Sequence, residues 1–221
     1  MSVILTDGAK IFRNTDYVKN STVFTGTLYE FTKSGYFQVK SGLIEGNLLV
    51  WTVSGGENGK AGSRFKGGEG GMGGEFVLEY DFYNICGSAG GDYLVTIGNE
   101  AFGNTSLNRH TYITDTSGNS FGPIFQNGGK GGQYGGEGVS LDFGQKTYYF
   151  SGGGGSASNR GRDRSIGGGN GLLLAKNGSG VYGGPAGAGY GGGGGGGDIG
   201  KNGGSGARGI FLLLDINSSG T

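Results

Sequence analysis

The chain has 221 residues, 58 of them glycine and 2 proline, so about one residue in four is glycine against about 7% in ordinary proteins. Leu, Ile, Val and Phe make up about 22%, just above the level at which disorder becomes the default; the 17 basic and 17 acidic residues cancel, and 12 Tyr, 13 Phe and one Trp supply core material, so the chain is expected to fold. Two prolines exclude collagen, the balanced charge removes the electrostatic case for nucleic acid or an anionic membrane as partner, and no run nears the roughly 18 apolar residues that span a bilayer.

The opening, Met1-Ser2-Val3-Ile4-Leu5-Thr6-Asp7, has no basic start and too short an apolar run for a secretory signal, which predicts a chain made in a cytoplasm. Residues 1–25 are mixed sequence and are taken as an N-terminal attachment segment, with a glycine-rich domain over 26–221. Leu28 to Val53 carries two strand-like runs, Tyr29 to Val39, broken at Gly35, and Leu48 to Val53, before a glycine tract from Gly55 to Gly74. In the strand Phe76 to Phe82, alternation puts Phe76, Leu78, Tyr80 and Phe82 on one face and Glu79 and Asp81 on the other, and Tyr93 to Ile97 is expected as its hairpin partner. Cys86 stands alone, which excludes an internal disulfide and predicts a small buried side chain. Asn99 to Gln126 is the longest glycine-poor interruption and is expected to be a loop. Val139, Leu141 and Phe143 alternate again before Thr147 to Phe150, and the last apolar run, Ile210 to Leu214, suits a central strand buried on both faces. No stretch of ten residues has a helical period, so the fold class is all-β with essentially no α-helix.

The glycines are periodic. They occupy 191, 194, 197, 200, 203, 206 and 209; the doublets Gly67-Gly68, Gly70-Gly71 and Gly73-Gly74 repeat at the same interval, as do Gly56, Gly59 and Gly62. An extended helix of the polyproline II type has three residues per turn and packs side by side only where the facing position lacks a side chain. The in-phase positions expected to face neighbours are Gly67, Gly70, Gly73, Gly200, Gly203, Gly206 and Gly209. The alternative is a flexible linker, the usual behaviour of Gly/Ser-rich chain. Against it, the tracts are interleaved with strands, so ordering the strands brings the tract ends together. The expected architecture is therefore sandwich-like strands framing packed polyglycine II helices.

Catalytic motifs fail. No G-x-G-x-x-G opens a helix after a strand, no glycine-lysine pair is followed by the Ser/Thr of a P-loop, and one histidine cannot build a multi-histidine metal site. No catalytic residue, metal or cofactor is expected, and no paired carboxylates suggest a depolymerase. What remains are the interruptions. Asn99 to Gln126 holds Phe102, Arg109, His110, Tyr112 and Phe121; Ser156 to Ile166 is locally basic with Arg160, Arg162 and Arg164; Tyr134, Tyr182 and Tyr190 sit singly among glycines. Aromatic and arginine side chains on rigidly held loops are the usual anchors of interfaces, and aromatic faces also suit sugar rings. Plain solvation of the loops, and packing of Tyr182 and Tyr190 over glycine, are the competing readings.

Three motifs add a resemblance: Phe31-Thr32-Lys33-Ser34-Gly35-Tyr36-Phe37-Gln38-Val39, then Trp51-Thr52-Val53-Ser54-Gly55-Gly56, and finally Gly206-Ala207-Arg208-Gly209-Ile210-Phe211-Leu212-Leu213. In this order the chain resembles, over about residues 28 to 215, the glycine-rich domain of bacteriophage tail-fibre and tail-tip proteins, and it is similar to detachable phage adhesins built on polyglycine II helices. It lacks their N-terminal tryptophan-rich attachment sequence. The resemblance implies a virion protein at a tail-fibre tip or baseplate, made in the host cytoplasm. It would be a receptor-binding adhesin for host attachment, binding a bacterial outer-membrane protein or glycan and contacting other tail proteins as a homotrimer or a cap on a trimer. The other reading is a structural tail or baseplate component that joins or caps virion parts.

Overall fold

The computed structural model describes residues 2–64, 67–98, 110–121, 138–144, 146–150, 189–197 and 202–216. Twelve strands and one helical turn are found among them, in an all-β arrangement. A central antiparallel sheet has the order β2 (Lys10–Lys19), β3 (Thr22–Phe31), β12 (Ile210–Ile216), β5 (Leu48–Val53), β6 (Phe76–Asp81). A second antiparallel sheet covers one of its faces with the order β1 (Val3–Asp7), β4 (Gly35–Val39), β7 (Gly91–Thr96), β8 (Tyr112–Asp115), β9 (Ser120–Phe121). The hairpin of β10 (Val139–Asp142) and β11 (Thr147–Phe150) lies against the other face.

The last strand is the centre of the molecule, as its apolar run predicts. Phe211 and Leu213 of β12 join Phe31, Phe37, Val50, Tyr93 and Val95 between the two large sheets, whereas Ile210, Leu212 and Leu214 join Leu28, Trp51, Phe143, Tyr148 and Phe150 on the opposite side. Period-two alternation thus feeds two cores from one strand. Because β12 is inserted between β3 and β5, no central sheet exists until residues nearly 190 positions apart have met.

Several sequence expectations need correction. Residues 1–25 are no separate segment: β1 pairs with β4, β2 pairs with β3, and position 25 falls inside β3. A two-residue turn at Asn20 and Ser21, with φ of 48° and 67°, closes the β2–β3 hairpin. Next, β6 and β7 are not partners. The turn α1 (Tyr83–Cys86) carries the chain from the central sheet to the other one, where β7 pairs with β4 and β8. Finally, Phe76, Tyr80 and Phe82 do not share a face: Phe76 packs toward the β10–β11 side, Phe82 is buried between the large sheets, and Tyr80 is exposed. The cause is a bulge. The β5–β6 register shifts between Val50 and Thr52, and Glu79 takes a φ of 53°, which resets the alternation. Its carboxylate accepts hydrogen bonds from Tyr17 and Lys19. Cys86 is half-buried rather than fully enclosed, and burial raises its thiol pKa.

The glycine segments continue the central sheet. Segment 54–60 prolongs β5, 68–75 leads into β6, and 203–209 leads into β12, while 191–197 lies across them. Gly56 and Gly59 donate to Ala207 and Gly204; Glu57 and Lys60 donate to Met72 and Glu69. The fourth segment closes the set. Its Gly194 and Gly197 donate to Glu57 and Lys60, Gly68, Gly71 and Gly74 donate to Gly197, Gly194 and Gly191, and Gly204 and Ala207 donate to Gly195 and Gly192. All of these bonds recur every three residues. A β-ladder with period two can bond only within one plane; a three-residue repeat points its amides in three directions, so a fourth segment is bonded on top of three.

Such spacing leaves no room for side chains. A Cβ on Gly203 or Gly206 would fall on the backbone of Gly59 or Gly56, and one on Gly68, Gly71 or Gly74 on the backbone of Lys60, Glu57 or Ser54. Gly203, Gly206 and Gly209 are at their expected tight positions; in the doublet tract the contacts recorded belong to Gly68, Gly71 and Gly74, each the residue after Gly67, Gly70 and Gly73. Gly200 lies outside the described residues.

Candidate functional site

Gly98 and Thr111, which flank the stretch 99–109, come together at one point. Gly98 donates its amide to Thr111 Oγ1 at 3.0 Å, Thr111 Oγ1 donates to the Val53 carbonyl at 2.8 Å, and the Thr111 amide donates to Ser54 Oγ at 3.3 Å. Gly209 donates to the Gly98 carbonyl at 2.8 Å. Thr111 is fully buried. One hydroxyl therefore ties both ends of residues 99–109 to the place where β5 and β12 pass into the glycine segments. Thr111→Val keeps the shape but orphans the Gly98 amide and the Val53 carbonyl, and is expected to cost about 2–3 kcal/mol. A chemical-denaturation series would measure that loss, and amide exchange at Gly98 should accelerate in the variant.

His110 sits beside this clamp, half-buried, with Nδ1 3.5 Å from Glu75 Oε2. Tyr112 begins β8 and is partly exposed, whereas Phe121 on β9 packs in part against the core between the large sheets. Of the candidate residues, the structure brings His110, Tyr112 and Phe121 to the β8–β9 edge of the second sheet. Phe102, Arg109, Tyr134, Arg160, Arg162, Arg164 and Tyr182 lie outside the described residues.

The interval 99–126 is not wholly loop, since β8 and β9 form a hairpin within it. Its turn is built on Asp115, whose Oδ1 accepts the amides of Ser117 and Asn119 at 2.9 and 2.8 Å while Oδ2 accepts Asn119 Nδ2 at 2.9 Å. Gly118 supplies the φ of 83° that the turn requires. The side-chain bond from Asn119, then those backbone amides, hold the Asp115 carboxyl below the ordinary carboxylate range. A depressed folded pKa means that this ordering persists above the usual aspartate range and is lost only as pH falls through the lowered value. The amide resonances of Ser117 and Asn119 should accordingly stay native-like as pH falls to the ordinary aspartate range, and shift only at more acidic pH.

A second polar group is enclosed rather than presented. Glu30, 1% exposed, accepts a 2.6 Å hydrogen bond from the Tyr148 hydroxyl and an ion pair from Lys146, whose ammonium lies 4.4 Å from the Tyr148 ring centre. Burial first, then the bond to Glu30, raises the Tyr148 pKa. The group fastens the β10–β11 hairpin to β3. Tyr190 packs on Tyr148 with ring centres 6.2 Å apart, and its amide bonds to Tyr149, in keeping with a packing role. The sequence reading missed Thr111 and Ser54; neither is distinguishable from the many other hydroxyl residues without knowing which carbonyl it faces. Nothing among protein-family models, curated protein sequences or solved structures matches this chain.

Proposed function

We propose that the protein is a phage virion receptor-binding protein, a non-enzymatic adhesin at a tail-fibre tip or baseplate that recognises a bacterial surface protein or glycan. The scaffold in this reading is a bundle of packed polyglycine II helices. The observation that supports the proposal is the Thr111 clamp, which holds the residues flanking the polar, aromatic-bearing sequence 99–109 against a scaffold whose tight interior positions admit only glycine. Where the glycine segments pack on one another no side chain fits between them, so in this reading recognition falls to the interruptions, residues 99–126 and 156–166. The sequence resemblance to phage glycine-rich tail proteins supplies the biological setting.

Purified protein is expected to bind host cells and block infection, and alanine at Tyr112, Arg160 and Arg162 together to abolish both while the fold persists. One observation favours a structural tail or baseplate component instead. Ile4, Leu5 and Ile11, on strands β1 and β2 at the margins of their sheets, are exposed apolar residues close to the N-terminus. If the protein neither binds nor blocks, yet particles lacking it fail to assemble, that second role replaces the first.

A further inference from the structure

The two large sheets end unevenly on the β1 side. Among the described residues β1 is the last strand of the second sheet; its Val3 shares a core with Tyr29 of β3, and β2 lies one strand further out in the central sheet. Between β1 and the overhanging β2 a cavity of about 160 Å³ opens, walled by β1 residues 3–6 and by Ile11, Arg13, Thr27 and Tyr29. That volume is well below the roughly 300–1,000 Å³ of pockets that enclose small ligands, and one of its walls is the edge of a strand. Such an edge presents unpaired N–H and C=O groups, which proteins usually blunt with lysine, proline or a bulge. The β2 edge is guarded in this way by Lys10, Lys19 and the register shift between Phe12 and Thr15. On β1 the register shift comes early, between Val3 and Leu5, and the Val3 amide is already bonded to Asp215 at 2.9 Å; the stretch Leu5-Thr6-Asp7 is left regular, with neither lysine nor proline. Ile4, Leu5 and Ile11 beside the opening are exposed.

The cavity holds one unpaired charge. Arg13 faces it and forms no hydrogen bond or ion pair with any described residue. Its field reaches Tyr29, where burial and then the Asp215 carboxylate raise the phenol pKa and Arg13 opposes them. Register places Arg13 beside Thr27, and Thr27 is paired with Asp215, so the guanidinium lies at the Val3 end of β1. Asp7, at the other end, is exposed.

We propose that the β1 edge binds an extended peptide segment of another protein, which adds a further strand to the second sheet and sets one acidic side chain on Arg13. Its backbone pairs with Leu5–Asp7, a small apolar side chain enters the cavity over Ile11, and its carboxylate meets the guanidinium at the Val3 end. An acid at the opposite end would meet Asp7 instead, which fixes the direction of the segment. A second copy of this chain does not fit the same place, because its β1 would arrive with its own β2 overhanging the position that β2 already fills. This binding does not depend on the adhesin role.

The probe is a library of random seven-residue peptides with blocked ends, immobilised on beads and offered to the full chain. Enriched peptides should carry one Asp or Glu toward one end with small or β-branched apolar residues beside it. The tightest should lose about tenfold or more in affinity with Arg13→Glu, and that variant should select Lys- or Arg-bearing peptides instead. N-methylation along the peptide should weaken binding at alternate amides only, the period-two signature that a merely apolar contact lacks. Amide exchange should slow on β1 and stay unchanged at β9, the opposite edge of the same sheet. Absence of enrichment, enriched peptides without an acidic residue, N-methyl effects without alternation, protection elsewhere, or a dimer that buries β1 would each overturn the proposal. So would equal competition by N-acetylaspartate amide, which would make a lone carboxylate the ligand. Should Arg13→Glu not fold, the N-methyl and exchange patterns decide it. Cell binding and infection are measured apart from all of these, so the adhesin reading stands or falls separately.

Discussion

Gly206→Ala and Gly71→Ala are expected to lower stability by about 3 kcal/mol or more each, at or beyond the upper end of ordinary overpacking, whereas Met72→Ala should change it little. The added methyl at 206 would meet the Gly56 carbonyl and the Glu57 oxygen; at 71 it would meet the Glu57 carbonyl and the Asn58 oxygen. Those atoms cannot rotate away as a side chain would, and the Glu57 oxygen is already committed to the Gly194 amide at 2.8 Å. Met72, one residue along the same segment, is 47% exposed and points away from the bundle. A single domain typically has about 5–15 kcal/mol in hand, so either glycine variant removes a large share of it. The 203–209 segment also delivers β12 to its slot between β3 and β5, and a clash there reaches the central sheet. Denaturation midpoints that fall equally for Gly71→Ala and Met72→Ala would contradict the packing.

The strands with strong alternation or unbroken apolar runs were legible because burial leaves a periodic trace: β12, β5 and the β10–β11 hairpin stand where their residues put them. Partners were harder. Phe76 to Phe82 and Tyr93 to Ile97 look like a hairpin because they are close in sequence, but what joins them is a helical turn that changes sheets, a long-range fact that no local pattern carries. The Asn20-Ser21 turn was silent for a different reason. Both residues take positive φ without the glycine that usually advertises such a turn, and the surrounding Lys10 to Thr25 is largely exposed, so no apolar stripe announced β2. In 67–75 the doublets supply glycine at two successive positions of each triplet. Sequence therefore establishes the period of three, and only the approach of segment 54–60 shows that Gly68, Gly71 and Gly74 meet it.

The site was legible as a region and opaque as a mechanism. An excess of aromatic and hydroxyl residues marked 99–126, and Ser117-Gly118-Asn119 after an aspartate is recognisable turn chemistry. Thr111 could not be singled out, since its importance lies in a donor and an acceptor brought together from Gly98 and Val53, 13 and 58 residues away. Phe121 shows the converse. It was a candidate contact because it is aromatic and lies in a polar stretch, yet β9 turns it partly into the core.

Phe37→Ala should be the most damaging single truncation in the space between the two large sheets, costing about 3–5 kcal/mol. Its ring is fully buried and lies 5.3 Å from Tyr93, 5.5 Å from Phe82, 5.8 Å from Phe211 and 6.1 Å from Phe31, centre to centre. These four belong to or follow β7, β6, β12 and β3, so one side chain joins both sheets, and the rings around it are too large and too well anchored to collapse into the space it would leave. Leu94→Ala is the control: it alters β7 beside Tyr93, but the leucine is 57% exposed and the change should stay within about 0.5 kcal/mol. The effect has a directional signature too. Phe37 sits on β4, between β1 and β7, and β7 runs through Ile97 to the Gly98 end of the Thr111 clamp. Loosening β4 should therefore raise amide exchange at Gly98 and Thr111 before it does so within the glycine segments, whose bonds run among themselves. Uniform acceleration across 54–60 and 191–197 would show instead that the sheets and the glycine bundle open as one unit.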